Sequence, residues 1–535
     1  MGLKQRIVDR GKQALLQPSV LRWVTDDRVM KATEGLMDAR TRFRDAWQVL
    51  IKGTELPNID PALDENIGET APAATKTNGH ANGATNGHAN GAAHSNGSSH
   101  TNGATNGTAR HELSDREGSS NMEESMKERT SLASVGGKDV FEKAYKFMAA
   151  DNARKMGIYP YFRPLDFADG PEAQINGKRV VMFGSNNYLG LTTHPKVREA
   201  AKQAIDKYGT SMTGSRLVNG SMRLHEEFEE KLAKWFNKEA ALVFTTGYQV
   251  NIATLAALLS NKQTVAFIDR NVHASLYDGV RLGQSAGARL VRYRHNDAES
   301  LDKALEKLEA DEGAFVITDG VFSAEGEIAK LDELLPVVKK HKARLFVDDA
   351  HALGVIGPGG MGTAAHFGLL DQVDLVGGTF SKSMASIGGW LVGERKVLDY
   401  IRHFAPSFMF AAAAAPPSVA AAMAAFDVMQ EEPWRIEKLR ENFTYMREGL
   451  KSLGFELGHT QTAVIPIYIR QDLRTIMMWR DLLEEHGIYT NPFISPGVPP
   501  KSAMLRTSYM ATHERHHLDR ALEAFEKVGK KYKVI

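Results

Sequence analysis

Seven short apolar runs recur between residues 241 and 392, and several of them are rich in β-branched residues. They occupy residues 241–245, 265–268, 290–293, 315–318, 345–348, 374–377 and 390–392. Stretches with an apolar residue every three or four positions separate most of these runs, as at residues 300–310 and 331–340. Strands that alternate with helices predict an α/β fold with a mostly parallel seven-stranded sheet covered on both faces. In such sheets, ligands bind at the carboxyl ends of the strands.

The pattern changes on both sides of this region. Residues 1–65 carry apolar positions at helical spacing and predict a separate N-terminal helical region. It is a small bundle or docking arm, or alternatively a contact with a membrane surface or a carrier protein. Residues 66–137 repeat Asn-Gly with small residues and predict a disordered linker. We expect an N-terminal arm at 138–185, a large ligand-binding domain at 186–429 and a small C-terminal α/β domain at 430–535.

Composition excludes several classes of function. The net charge of +1 over 535 residues gives no reason to expect a nucleic-acid partner. The absence of cysteine excludes disulfides, thiolate metal sites and thiol catalysis, and we expect no metal. Residues 1–16 lack the apolar core of a signal peptide, and the alanine-rich stretch 411–425 is too weakly apolar to span a bilayer. We therefore expect a cytoplasmic protein, with peripheral contact at the inner face of the membrane as a further hypothesis.

Three residues indicate the chemistry. Lys382 closes a run of small residues, GGTFSK at 377–382, and Asp348 ends the apolar run at 345–348. His351 follows on the next turn. A lysine, an acid at a strand end and a nearby histidine in this order are typical of a pyridoxal 5′-phosphate (PLP) site. The lysine forms the Schiff base, and the acid keeps the pyridine nitrogen protonated so that the ring can accept electrons.

Further motifs occur in the order found in the α-oxoamine synthase family of fold-type I PLP enzymes, which the chain resembles from about residue 141 onward. They are FGSNNYLGL (183–191), GTSMTGSRLVNG (209–220), TTGY (245–248), DRNVHAS (269–275), GVFS (320–323), DDAH (348–351), GGTFSK (377–382) and LRTS (505–508). Within the family, TGSRLVNG, RHND (294–297) and MMW (477–479) look most like the bacterial serine palmitoyltransferases.

The resemblance implies four catalytic residues. Lys382 is the Schiff-base lysine, and once substrate has displaced it, it removes and returns the Cα proton. Asp348 pairs with the pyridinium nitrogen. His273 stacks on the PLP ring, and His351 contacts the phenolic oxygen of the cofactor.

The resemblance also implies the remaining contacts with cofactor and substrate. The phosphate is held by Gly247 and Tyr248 at a helix N-terminus and by the hydroxyls of Thr379 and Ser381. Ser323 lies beside the ring oxygen of the cofactor.

Two residues are expected to contact the substrate, and one position departs from the family. Arg506 presents a bidentate guanidinium to the amino-acid carboxylate, and Asn186 contacts the carboxylate or the acyl side. The family usually carries a Ser or Thr at the position of Ala411, where the hydroxyl resembles a phosphate ligand that reaches across the dimer interface. Ala411 leaves that contact without its hydroxyl.

The implied reaction is a PLP-dependent decarboxylative Claisen condensation. L-serine and a long-chain acyl thioester, carried by coenzyme A or acyl carrier protein, give 3-ketosphinganine for sphingolipid biosynthesis. The enzyme is expected to be a homodimer, since the family builds its site where two subunits meet. Two alternatives stay open. One is another α-oxoamine synthase that uses glycine or alanine, or a different acyl thioester. The other is a catalytically silent scaffold subunit.

Overall fold

The structure is a computed structural model, and it describes residues 139–535. The helical region and the linker predicted at 1–65 and 66–137 lie outside the described residues. No helix within 139–535 is both long and apolar enough to cross a membrane.

Residues 139–535 form three sheets and fifteen α-helices. The strands are β1 (Phe167–Asp169), β2 (Glu172–Ile175), β3 (Lys178–Met182), β4 (Ala240–Phe244), β5 (Thr264–Asp269), β6 (Arg289–Tyr293), β7 (Gly313–Asp319), β8 (Arg344–Asp348), β9 (Leu375–Thr379), β10 (Gly389–Gly393), β11 (Val464–Tyr468), β12 (Ile488–Tyr489), β13 (Asn491–Phe493) and β14 (Met504–Ser508). The helices are α1 (Glu142–Tyr145), α2 (Ala149–Lys155), α3 (Pro195–Tyr208), α4 (Arg223–Trp235), α5 (Gly247–Leu258), α6 (Ala274–Ser285), α7 (Ala298–Leu305), α8 (Leu331–Lys340), α9 (Thr363–His366), α10 (Arg395–Phe404), α11 (Pro406–Met409), α12 (Pro416–Glu431), α13 (Trp434–Ser452), α14 (Asp472–Glu484) and α15 (Arg515–Lys531).

The central sheet has the strand order β4-β10-β9-β8-β7-β5-β6. All neighbouring pairs are parallel except those of β10, which runs antiparallel to β4 and to β9. The predicted mostly parallel seven-stranded sheet is therefore confirmed, and each apolar run coincides with one strand to within two residues at either end. The runs are continuously apolar because helices cover both faces of the sheet.

One helix is shorter than its sequence pattern predicts. The pattern at 331–340 agrees with α8, whereas α7 begins at Ala298 and ends at Leu305 instead of near residue 310. Leu301 and Leu305 supply its whole buried face. Beyond them the charged residues form a turn that the Glu312 side chain closes by accepting the backbone N–H of Glu309 (3.0 Å).

Two smaller sheets bring distant segments to the central sheet. β11, β14 and β13 form an antiparallel sheet that carries Arg506 on β14. β1, β2, β3 and β12 form a four-stranded sheet in which β12 runs parallel to β3. Because β12 belongs to the C-terminal region and β3 to the N-terminal arm, these regions share one sheet, and the domain boundaries at 186 and 430 stay predictions.

Candidate active site

Three strand ends bring the central residues of the site together. Asp319 ends β7 and Asp348 ends β8, and the two residues are opposite each other in the strand register. Lys382 follows β9 by three residues, and β9 pairs with β8. Parallel strands place their carboxyl ends at one edge, so the predicted Asp348 and Lys382 lie at the same edge as Asp319, which the sequence did not single out.

Hydrogen bonds to both oxygens hold the Asp348 carboxylate. Its Oδ2 accepts from Asn251 Nδ2 (2.6 Å), and its Oδ1 accepts from the backbone N–H of Ala350 (2.9 Å). Asn251 lies on α5 and also donates to Ser275 Oγ on α6 (2.8 Å). These bonds fix the carboxylate against two helices. An acid that pairs with one particular nitrogen of a ligand requires such a fixed orientation.

Lys382 is an amine without an ionic partner. No hydrogen bond or ion pair to its Nζ occurs within the described chain. Burial lowers the pKa of Lys382 to about 8, and the positive charge of Arg506 acts in the same direction, while Asp348 and Asp319 oppose them. About one-tenth of such an amine is unprotonated at pH 7, several hundred times the fraction at its ordinary pKa, so it is suited to act as nucleophile or base.

The His273 ring is fixed by the helix that it caps. Its Nδ1 lies 2.7 Å from Ser275 Oγ and accepts from the Ser275 backbone N–H (3.3 Å) at the start of α6. The backbone N–H of His273 donates to both carboxylate oxygens of Asp319 (3.1 and 3.3 Å). Burial lowers the pKa of His273, so a neutral imidazole is presented to the site.

His351 is fixed by Tyr188. The Tyr188 hydroxyl lies 2.7 Å from His351 Nδ1, and burial raises the pKa of Tyr188 to about 12. Burial also holds the pKa of His351 well below its ordinary value. The tyrosine therefore keeps its proton and donates it to Nδ1, which leaves Nε2–H of the neutral histidine as a donor.

The N-terminus of α5 and the turn after β9 form a narrow cradle. α5 begins at Gly247, with Thr246 as its N-cap, and the first N–H groups of a helix lack internal partners. Thr379 Oγ1 and Ser381 Oγ lie 2.8 Å apart. A Cβ on Gly247 would lie 2.5 Å from Thr379 Cβ, so only glycine allows this approach. Backbone donors and hydroxyls in one place suit a phosphate group. The side chain of Tyr248 points elsewhere, donating to Asp278.

Arg506 is a buried cation held only by neutral groups. Its side chain is 3% exposed. Its Nε donates to the Ser323 carbonyl oxygen (3.0 Å) and its Nη1 to Asn186 Oδ1 (2.7 Å). Asn186 Oδ1 also accepts from Ser508 Oγ (3.2 Å). Within residues 139–535, no carboxylate pairs with this guanidinium.

Known proteins with related sequences and structures define the family. The family model for aminotransferase class I and II matches residues 178–525. The serine palmitoyltransferase of Sphingobacterium spiritivorum is 42% identical over 393 residues, covering 74% of this chain and 97% of the relative. The 8-amino-7-oxononanoate synthase of Thermoanaerobacter pseudethanolicus is 39% identical over 386 residues, covering 72% of this chain and 96% of the relative. A structure of serine palmitoyltransferase from S. paucimobilis with a bound PLP–myriocin aldimine aligns with a TM-score of 0.71 and 33% identity, covering 74% of this chain and all of that one.

The chain belongs to the aminotransferase class I and II family. Within it, the chain is an α-oxoamine synthase, as the resemblance in the sequence predicted. The protein is accordingly a PLP-dependent acyltransferase.

The residues of this α-oxoamine synthase fit PLP at each of its polar groups. The cradle at Gly247 suits the phosphate, and Asp348 suits the pyridinium nitrogen. The amine of Lys382 suits the aldehyde carbon. Nε2–H of His351 suits the phenolic oxygen, and the neutral ring of His273 suits the face of the pyridine. The individual roles of these residues stay predictions, and so does the role of the Ser323 side chain, since only its backbone carbonyl has a described contact.

Sequence reasoning missed three residues that hold the predicted ones in place. Asn251 bonds Asp348, Tyr188 bonds His351, and Asp319 accepts the backbone N–H of His273. Tyr188 and Asp319 were within reach, since Tyr188 lies inside the quoted FGSNNYLGL motif and Asp319 directly precedes GVFS at the end of an apolar run. Asn251 lies in the middle of a helix, where no sequence signal distinguishes it.

One group of side chains in the described region could be considered for a metal ion. Glu172, His516 and His517 place one ligand atom each within 4.8 Å of one another. However, His517 Nδ1 accepts the backbone N–H of Glu514 (3.1 Å), so the proton of the neutral ring is on Nε2, which faces Glu172. A metal would need that nitrogen unprotonated, and we propose no metal here.

We predict that Gly247→Ala weakens PLP binding about tenfold, the equivalent of about 1.4 kcal/mol. The new Cβ would meet Thr379 and push the first turn of α5 away from the hydroxyls of the cradle. The dissociation constant for PLP, measured by titration of the apoenzyme, reports the effect. Gly313→Ala is the control, because a Cβ there meets nothing within 4 Å. Equal affinities of the two variants would show that the cradle does not hold the phosphate.

Proposed function

We propose that the protein condenses L-serine with a long-chain acyl thioester and releases carbon dioxide to give 3-ketosphinganine. The observation that carries the amino-acid part of the proposal is the buried guanidinium of Arg506, which has neutral partners only and is close enough to Lys382 to lower the pKa of its amine. A buried charge without a counter-ion costs free energy, and a substrate carboxylate offsets that cost. The relatives named serine palmitoyltransferase support serine and an acyl donor as the substrates.

The side chains divide the work between binding and proton transfer. Arg506 orients the amino-acid carboxylate through its fork of donors. The amine of Lys382, with its pKa of about 8, accepts the Cα proton and later returns a proton to the same carbon. When bound, PLP supplies the electron sink that stabilises negative charge at Cα. In the net reaction, a bond forms between Cα and the thioester carbonyl carbon, the C–S bond breaks to release a thiolate that takes up a proton from solvent, and the carboxyl group leaves as carbon dioxide.

A second candidate is supported by some relatives. 8-Amino-7-oxononanoate synthases are 36–39% identical to this chain over 385–392 residues. The same three residues, Arg506, Asp348 and Lys382, suit any α-amino acid, since their proposed roles involve only groups that all α-amino acids share. A sister α-oxoamine synthase that uses alanine or glycine, or a different acyl thioester, is therefore the alternative.

We predict that Lys382→Ala abolishes turnover and the visible absorbance band of lysine-bound PLP, while the thermal unfolding midpoint changes little. The residue has a chemical role and makes no ion pair in the described structure. Lys396→Ala, on the exposed face of α10, is the control and should keep both band and activity. A Lys382→Ala enzyme with near-normal turnover would refute the assignment of the lysine.

We predict that L-serine with palmitoyl thioester gives the highest kcat/KM in a matrix of serine, glycine and alanine against short and long thioesters. Arg506→Ala should raise the KM for serine by roughly ten- to a hundredfold, since a charge-assisted hydrogen bond contributes about 1.5–3 kcal/mol. Arg179→Ala, with a side chain 84% exposed, is the control. If glycine or alanine with a short acyl thioester is preferred, the sister-enzyme alternative is correct.

We further propose that the working unit is a homodimer. Five apolar side chains are strongly exposed in the single subunit: Leu217, Val218, Ile387, Phe404 and Phe410. The segment of Leu217 and Val218 is joined to that of Phe410, since Ser215 bridges to Ala412, and Ile387 lies beside Lys382 in the loop after it. Strongly exposed apolar side chains on neighbouring segments are typical of a protein interface. The cytoplasmic location, the peripheral membrane contact and the choice between coenzyme A and acyl carrier protein stay predictions.

We predict that Val218→Glu combined with Phe410→Glu shifts the protein from dimer to monomer in sedimentation and lowers turnover. Two buried, unpaired carboxylates disfavour the assembly. Trp434→Glu, at a half-exposed position of α13, should leave the assembly unchanged. A double variant that stays dimeric would place the interface elsewhere.

A further inference from the structure

The loop at residues 320–330, between β7 and α8, connects the central sheet to the small C-terminal sheet. Its Gly326 carbonyl accepts from Thr462 Oγ1 (3.0 Å) and from the backbone N–H of Gln461 (3.1 Å). Gly326 has a φ of +68°, and a Cβ there would lie 2.0 Å from the Val464 carbonyl oxygen on β11. The loop is thus pressed against the sheet that carries Arg506, and its Ser323 carbonyl accepts the Arg506 Nε–H.

The RHND segment at residues 294–297 holds the same loop from the other side. Asn296 Nδ2 donates to the Ile328 carbonyl oxygen (2.9 Å), and Asn296 Oδ1 accepts from the backbone N–H of Lys330 (2.8 Å). Asn271, after β5, donates to Glu325 Oε1 (3.1 Å). The loop is therefore tied to the carboxyl ends of β5 and β6 as well as to the C-terminal sheet.

His295 is the charged residue of the RHND segment that faces the loop. Its Nδ1 lies 3.1 Å from Asp269 Oδ1, and its Nε2 lies 3.6 Å from Glu327 Oε2, slightly beyond hydrogen-bond distance. Burial opposes the charge, but the two carboxylates outweigh it and raise the pKa of His295 to about 10. The imidazolium in turn lowers the pKa of Glu327. At neutral pH a cation therefore bridges the fully buried Asp269 of the sheet and the Glu327 of the loop.

We propose that His295 is a positioning residue, which fixes the 320–330 loop and, through the Ser323 carbonyl, the orientation of the Arg506 guanidinium. The proposal rests on the proposed role of Arg506 as the carboxylate-binding residue. His295 touches neither substrate nor cofactor in this scheme. Its removal should loosen the Ser323 carbonyl, so that Arg506 loses one of its described partners and meets the substrate carboxylate in a less favourable orientation.

The test compares His295→Ala with a matched control in the full-length holoenzyme. We expect the KM for the amino acid to rise about tenfold while kcat and the PLP absorbance band change by less than about threefold. His341→Ala is the control: its ring is 15% exposed against 14% for His295, and it also pairs with an acid, Asp302 (2.6 Å), but away from the loop. Glu327→Gln removes the charge of the loop partner with little change of shape and should raise the same KM.

A double-mutant cycle with Arg506→Lys separates positioning from general stability. If His295 acts through Arg506, adding His295→Ala to Arg506→Lys should cost much less in kcat/KM than it costs in the wild-type background. Additive losses, or a loss in kcat with an unchanged amino-acid KM, would overturn the proposal. Should His295→Ala fail to fold, Glu327→Gln enters the same cycle. Each measurement uses whichever amino acid the enzyme prefers, so a preference for glycine over serine refutes the substrate proposal without affecting this one.

Discussion

Two buried carboxyl groups side by side at the ends of neighbouring strands are the constraint on which the site depends. Asp319 and Asp348 occupy opposite register positions at the ends of β7 and β8. Burial and the neighbouring Asp348 raise the pKa of Asp319 well above its ordinary value. Two negative charges so close together are disfavoured, and the Asp348 carboxylate is the one that accepts from both Asn251 and the Ala350 N–H.

The sequence predicted the parts of the site that lie at strand ends. Asp348 and Lys382 were identifiable because a reactive side chain at the end of an apolar run, or on the turn that follows it, lies at the edge of the sheet. Arg506 was predicted only through the resemblance of LRTS to a family motif, since β14 belongs to another sheet. Asn251 was not identified, because an amide inside a helix is indistinguishable from any other until the fold places it against Asp348. Its contact spans 97 positions of the sequence.

The sequence predicted which residues belong to the site better than it predicted what those residues contact. Asn186 was expected to meet the substrate, but its Oδ1 accepts from Arg506 and from Ser508, residues more than 300 positions away. Neither periodicity nor composition carries information about such a pairing, because the pairing depends on how the small C-terminal sheet packs against the rest of the fold. The position of that sheet is determined by packing at loops such as 320–330, where Gly326 approaches β11 so closely that there is no space for a Cβ.

The charged groups of the site limit which substrates it can distinguish. Arg506, Lys382 and Asp348 address a carboxylate, an amine and the cofactor, and these groups are common to every α-amino acid substrate. The proposed selection of serine therefore requires a polar group that is left unpaired when the hydroxyl is missing, which can reject an analogue by a factor of about 10⁴. Selection of the acyl chain depends on apolar surface, where one methylene contributes about 1–3 kcal/mol at most. The amino acid should consequently be chosen sharply and the chain length only broadly, because polar groups and apolar surface discriminate with such different strengths.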